Sequence, residues 1–188
     1  KTAVVFTSDP ACLAHGMDWQ TAVSINSYLF ENHRSIAPAL PEYPHATFRQ
    51  STRADLEPLL TFYARNDEES NRDAIDANFG TMQKYVEALL AEGQSFILHD
   101  GDSIIGIGEW RISQSQPPYA DVGMITDRDH RRHGVGTYIL AQFKQLCAER
   151  DLRPICSCEA GNVGSRKTIE KAGFISSHRI VEMELRKR

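Results

Sequence analysis

The sequence predicts an α/β (α+β) chain, a sheet covered by helices. Three observations lead there. From Thr47 onward, strand-like and helix-like periodicities follow one another in the order β-α-α-β-β-β-α-β-α-β. Asp100-Gly101 stands between two apolar runs, which is a hairpin signal. Two helical patterns end on glycine, at Gly93 and Gly173, where a left-handed C-terminal residue is wanted.

The elements follow in chain order. Residues 3–7 (AVVFT) read as a short strand, and SDPACL as a helix start with Pro10 early in it. From Asp18, the residues Trp19, Ala22, Val23, Asn26, Leu29 and Phe30 fall near one helical face, predicting a helix over 18–30. The proline-rich stretch 37–46 (APALPEYPHA) reads as a linker. Residues 1–45 are therefore expected to be an extension plus linker, either an appendage or the remnant of a larger N-terminal part, ahead of a domain over 46–188. In that domain TFRQST (47–52) is a strand, and RADLEPLLTFYAR a helix with Leu56, Leu59, Leu60 and Tyr63 on one face. NDEESNRD (66–73) is an acidic loop, and AIDANFGTMQKYVEALLAEG one continuous helix. Two strands flank the Asp100-Gly101 turn, and YADVGMIT (119–126) is another. A helix starts near Val135, RPICSCEA (153–160) is a strand, NVGSRKTIEKAG is a helix, and FISSHRIVEMELR closes as one or two strands.

Composition narrows the class. With 188 residues, 41% of them apolar and 24% charged, the chain can bury a real core. It has no run of about 18 apolar residues that would span a membrane and no signal-peptide pattern. A net charge of −4 argues against a nucleic-acid partner. Cys12, Cys147, Cys156 and Cys158 are spaced neither for zinc nor as a Cys-x-x-Cys pair, so no metal is expected. They read as reduced thiols of a cytoplasmic protein.

Against this acidic background, Arg131-Arg132-His133-Gly134-Val135-Gly136-Thr137 is locally cationic. It precedes a helix whose Ile139, Leu140, Phe143, Leu146 and Cys147 form one apolar face. The first N–H groups of a helix lack intrahelical partners, and its dipole leaves about half a positive charge there. Glycines let the backbone approach an anion closely. A phosphate or pyrophosphate suits such a place; the plain alternative is a solvated surface turn. A P-loop is excluded because no Lys follows the glycines. A Rossmann fingerprint belongs near the first strand, and this loop comes late.

The RRHGVG loop resembles the Gln/Arg-x-x-Gly-x-Gly/Ala loop of the GNAT superfamily of acyl-CoA-dependent N-acyltransferases. GMIT ahead of it and CEAGNVGSRKTIEKAGF (158–174) behind it are similar to that family's flanking strand and its Asn-x-x-Ala/Ser helix ending in Gly-Phe. The resemblance covers roughly 46–187. It implies a GNAT-type fold, a mixed central sheet with helices on both faces, in which strands 119–126 and 153–160 splay apart, commonly at a bulge, and receive the pantetheine arm of acetyl-CoA. Met124 and Thr126 would contact that arm through the main chain. Arg131 and Arg132 with the amides through His133, Gly134, Val135, Gly136 and Thr137 would hold the pyrophosphate, flanked by His130 and His133. Asn162 and Ser165 would lie on the cofactor side; Asn162 also reads as a helix N-cap.

Acyl transfer to an amine needs a base, because a free alkylamine is protonated near neutrality, and a donor for the thioester oxygen. The candidate bases are Asp121, Glu109 and, behind them, Glu159. Many relatives carry a Tyr acid five residues before Gly-Phe; here that position is Ile169, so the thiolate leaves unaided, through water, or with help from Cys158 or Ser165. The reading that results is an N-acetyltransferase acting on a primary amine of a small molecule or peptide by direct attack. Its competitors are an acyl-CoA-binding sensor without turnover and a nucleotide-binding module. Asp67, Glu68, Glu69 and Asp73 can draw a cationic acceptor, and Tyr63, Phe79, Trp110 and Tyr119 can line its pocket. Trp19, Leu29 and Phe30 require burial, so residues 1–36 are expected to be ordered, docked on the sheet, over the acceptor pocket, or against a second subunit of a homodimer.

Overall fold

The computed structural model describes residues 2–7, 21–31, 34–37, 39–66, 75–115 and 117–185. Among these residues it is a mixed α/β fold with eight strands whose recorded ladders are all antiparallel. Residues 1–36 with 155–188 make one compact unit, and residues 37–154 make the other.

In the first unit the strands run in the order β1 (Thr2–Thr7), β8 (Ile175–Leu185), β2 (Thr21–Glu31), β7 (Arg153–Glu159). Strand β2 occupies the helix predicted over 18–30; Trp19 and the SDPACL segment lie outside the described residues. The chain here satisfies two patterns at once. Its apolar spacing suits a helix, yet Thr21, Val23 and Ile25 are β-branched and Tyr28 and Phe30 aromatic, the residues of strands. Pairing decides: Thr21–Glu31 bonds β8 along its length and Ser27–Phe30 bonds β7, so both edges of the strand are used. Phe30 is fully buried. The helix α4 (Val163–Lys171) follows β7, and Gly173 ends it with φ +84°.

The second unit holds the order β3 (Thr47–Gln50), β4 (Ser95–Asp100), β5 (Ser103–Ile112), β6 (Tyr119–Thr126). Gly101, with φ +56°, turns β4 into β5 where the hairpin was expected. Helix α1 (Leu56–Asn66) and helix α2 (Met82–Ala91) share one core with the sheet: Leu59, Phe62, Tyr63, Tyr85, Val86 and Leu89 pack with Ile97 and Ile107. The continuous helix predicted over 74–93 is broken. A short helix over 75–79 stops at Gly80, whose φ is +79°, and Thr81 restarts the chain as N-cap of α2 by accepting from the Lys84 amide. A left-handed glycine followed by a capping threonine outweighs the apolar spacing that runs through them.

Helix α3 (Val135–Ala148) lies on the opposite face of β5. Gly106 and Gly108 make that contact: a Cβ at Gly106 would stand 2.8 Å from both Val135 and Ile139, and one at Gly108 would stand 2.5 Å from the Phe143 ring. The Phe143 ring also meets Phe96 and Trp110 at centroid distances of 5.1 and 6.2 Å. Alternation along β5 thus sends Gly106, Gly108 and Trp110 to α3, and Ile107, Glu109 and Arg111 to the α1/α2 side.

Gly108→Ala is therefore expected to destabilise the protein by about 1–3 kcal/mol, the cost of overpacking. The same change at an unobstructed strand position would gain some backbone entropy. Denaturant unfolding of the two proteins measures the difference.

Candidate active site

Strand β6 ends at Thr126, and the chain turns at Asp127 into the cationic loop. The Asp127 side chain is 3% exposed. It accepts from the Asp129 amide at 3.1 Å, His130 Nδ1 at 2.8 Å and Asn66 Nδ2 at 3.1 Å, and pairs with Arg65 Nε at 3.2 Å. Asn66 Oδ1 in turn accepts from the Arg128 amide at 2.8 Å. The C-terminal end of α1 is thereby bonded to the start of the loop. Burial pushes the Asp127 carboxyl up, but the bonds from His130, Asn66 and the Asp129 amide, with the Arg65 charge, outweigh it and hold its pKa below the ordinary carboxylate value.

Beyond the turn, Arg132 has φ +71° and Gly134 φ +88°, so the backbone enters the left-handed region twice in three residues. Arg132 is not glycine, and such a conformation costs a side-chain-bearing residue energy that the surrounding structure must offset. Residues 131–134 are exposed, whereas Val135 and Gly136 are buried at the helix start. His133 Nδ1 is bonded to Glu42 Oε2, and Tyr43 lies with its ring centroid 5.5 Å from His130. Leu40 is buried, and its Cδ1 is 3.8 Å from where a Gly134 Cβ would stand. The proline-rich linker therefore packs on the loop.

A cavity of about 360 Å³ opens on the α1/α2 side of β5. Glu109, Arg111, Tyr63 and Tyr85 form its polar part, and Ile75, Phe79, Met124 and Ile125 its apolar walls. Glu109 accepts three bonds: Tyr63 Oη to Oε1 at 2.5 Å, Tyr85 Oη to Oε2 at 2.5 Å, and Arg111 Nη2 to Oε2 at 2.7 Å. Burial raises the pKa of both tyrosines, and the neighbouring Glu109 charge raises them further, so they remain neutral donors. An ionised carboxylate has about four lone-pair sites; three are taken, which leaves one for an incoming N–H.

The two candidate bases thus differ in setting. Glu109 lines the cavity opposite Gly123 in the β5–β6 ladder. Asp121 lies opposite Arg111, is exposed, and is not among the lining residues. The protein crowded around the Asp121 carboxyl raises its pKa; Arg111 opposes this and Glu109 adds to it. The ladder runs from Gly106–Thr126 to Ile112–Ala120 without a register shift, so no bulge interrupts β6 against β5. Of the aromatic candidates, Tyr63 and Phe79 line the cavity, Trp110 packs on the α3 face, and Tyr119 is not a lining residue. Tyr85 and Arg111 were not singled out from sequence. The clue was present in Glu109 and Arg111 sharing a strand face, but α2 had to be placed before Tyr85 could join them. The acidic loop residues 67–73 lie outside the described residues.

In the other unit, Asn162 is the N-cap of α4, its Oδ1 accepting from the Ser165 amide at 2.9 Å. Ile169, at the place of the expected acid, is 2% exposed inside the α4 packing. Glu159 is exposed at the end of β7. Cys147, Cys156 and Cys158 are buried and form no disulfide, and burial pushes the Cys158 thiol up. No described helix is long and apolar enough to cross a membrane.

Asp127→Ala is expected to cost about 2–3 kcal/mol, since it strips a charged acceptor from several donors. The linkage sign follows from the lowered pKa. The Asp127 contribution is complete above the ordinary carboxylate pKa near 4 and fades as the pH falls through the lower, folded-state value. Unfolding free energies measured from pH 7 down to pH 3 should accordingly converge for wild type and variant at the acidic end.

Comparison with known proteins places this geometry. Residues 45–175 match the model of the acetyltransferase (GNAT) domain. An uncharacterized N-acetyltransferase YjdG of Bacillus subtilis (strain 168) is 34% identical over 64 residues, which are 33% of this chain and 38% of that protein. A GNAT-family acetyltransferase of Colwellia psychrerythraea has a similar structure, with a TM-score of 0.76 and 26% identity over 98% of this chain and 65% of that one. The chain therefore spans less than two thirds of either relative's length. A structure of AAC(6')-Ib in complex with Parmomycin and AcetylCoA shares the fold at a TM-score of 0.53 and 15% identity, over 75% of this chain and 93% of that one. The match over residues 45–175 covers most of the sequence, and the chain belongs to the GNAT acetyltransferase family.

Proposed function

We propose that the chain transfers an acetyl group from acetyl-CoA to a primary amine by direct attack, with Glu109 receiving the amine. The observation that carries this reading is the cavity in which a carboxylate with one open lone-pair site faces residues Gly123–Ile125 of β6. The residues of the loop suit the diphosphate of acetyl-CoA. A backbone that turns left-handed at Arg132 and Gly134 just before a helix start is the kind that offers consecutive N–H groups to an anion. Arg131 and Arg132 add charge, His133 adds a ring N–H, and the amides of Gly134, Val135, Gly136 and Thr137 belong to the helix start. Main-chain groups of Met124 and Thr126 would hold the pantetheine arm.

Bound acetyl-CoA supplies the activated acyl group and a thiolate leaving group. The remaining work falls to the chain. Glu109 accepts an N–H of the ammonium and draws off its proton, directly or through one water, freeing the nitrogen lone pair. Tyr63, Tyr85 and Arg111 hold the carboxylate in place while it does so. A β6 amide near Met124 stabilises the developing oxyanion, an effect typically worth about 3 kcal/mol. The leaving thiolate takes its proton from water.

The buried Ile169 also favours a second reading, a domain that binds acyl-CoA without turnover. Calorimetric titration with acetyl-CoA, followed by a thiol-release assay over a broad amine panel, separates the two. Heat with turnover supports the enzyme, heat without turnover supports the sensor, and no heat refutes both. Glu109→Gln should lower kcat about 10²–10⁴-fold, the usual worth of a general base, while acetyl-CoA still binds.

A further inference from the structure

Building on the acyl-transfer reading, we propose that the acceptor is a zwitterion, a free α-amino acid with an apolar side chain, whose carboxylate is received by Arg111. The cavity presents an ion pair in contact. Glu109 and Arg111 stand two residues apart on β5, facing the same side, with Oε2 and Nη2 separated by 2.7 Å. Their depths differ: the Glu109 side chain is 12% exposed and that of Arg111 45%. The negative end of the pair is thus deep and the positive end sits at the rim. A ligand that matches must carry its cation inward and an anion close behind it. An α-amino acid does this, because its ammonium and carboxylate sit on one carbon and lie antiparallel to the Glu109–Arg111 pair. Its amine then enters where Glu109 faces the Gly123–Ile125 segment, as transfer requires.

The guanidinium is prepared for that role. Arg111 Nη2 bridges Glu109 and the Tyr85 hydroxyl, at 2.7 and 2.8 Å, which fixes the plane. Among the described residues no acceptor is hydrogen-bonded to Nη1 or Nε, so three N–H groups are open to a carboxylate. Arg111 is also the only cation among the described lining residues. A diamine would bring its second ammonium towards this charge. An amino-acid amide or a peptide N-terminus would leave the open N–H groups without an anion. The rest of the wall, Ile75, Phe79, Met124 and Ile125, is apolar and suits an aliphatic or aromatic side chain. Asp121, opposite Arg111 in the ladder and therefore on the same face though outside the cavity lining, adds a negative charge beside the guanidinium.

The test compares leucine, methionine and phenylalanine with their amides and with 1,4-diaminobutane, by acetyl-CoA-dependent thiol release. The free acids should exceed their amides in kcat/KM on the order of tenfold to a hundredfold, the range of one charge-assisted hydrogen bond, and the diamine should be poorest. Arg111→Gln should bring the acid-to-amide ratio close to one by raising KM for the acids, with Arg111→Lys intermediate; a merely structural Arg111 would slow acid and amide alike. Calorimetric titration of the same amino acids into the CoA-loaded protein reads binding independently of turnover. Amides equal to acids in wild type, a ratio unmoved by Arg111→Gln, or no heat from any amino acid on the CoA complex overturns the proposal. Loss of acetyl-CoA binding itself would instead be the failure of the acyl-transfer reading.

Discussion

Strand β5 is the constraint on which the rest of the 37–154 unit depends. Its two faces do opposite things. On one, the missing side chains of Gly106 and Gly108 admit Val135, Ile139 and Phe143 of α3 to contact with the strand itself. On the other, Ile107 joins the core beneath α1 and α2, and Glu109 and Arg111 continue that face into the cavity. Because side chains alternate strictly along a strand, neither face can shift register without exchanging the two roles. The helix that begins at the cationic loop and the acid that faces the cavity are set by one short segment, Gly106–Arg111.

The cavity shows how a carboxylate is kept at the edge of an apolar core. Tyr63 and Tyr85 belong to the packed cluster with Leu59, Val86 and Ile107, and their rings stand 6.0 Å apart at a steep angle. Only their hydroxyls reach Glu109. The aromatic bodies contribute apolar burial while the polar tips satisfy a charge that would be costly to leave unpaired. Stability and chemistry therefore draw on the same two residues. The loop is treated similarly: Asp127, nearly enclosed, collects donors from α1 and from its own turn, so the strained conformations at Arg132 and Gly134 start from a fixed point.

Much of this was legible in the sequence, and the failures have physical causes. The strand at 119–126, the helix from Val135 and the Gly93, Gly101 and Gly173 turns were read correctly, because each rests on interactions within a few residues. The segment at 21–31 was misread because its apolar spacing fits a helix, and only the ladders with β7 and β8 make it a strand. The break at Gly80–Thr81 was passed over because periodicity continues across it, although a glycine followed by a capping residue was written there. Glu109 and Asp121 were named together as acids, and nothing local distinguishes them. Their difference arises from packing, which brings Tyr63 of α1 and Tyr85 of α2 to Glu109.

By itself, the sequence determined the class of fold, the order of most elements from Thr47 onward, the cationic loop before α3 and the GNAT resemblance that the family match bears out. All of these follow from short-range rules: periodicity, capping, turn chemistry and motif spacing. The tertiary structure alone decided that Tyr85 of α2 and Tyr63 of α1 converge on Glu109, that Arg111 is held there with N–H groups to spare, and that Asp127 is joined to Asn66. Those contacts link residues 24 to 61 positions apart in the chain, and no local pattern encodes them. They exist because helices packing on a sheet bring distant side chains to one place, where burial forces each polar group to find a partner.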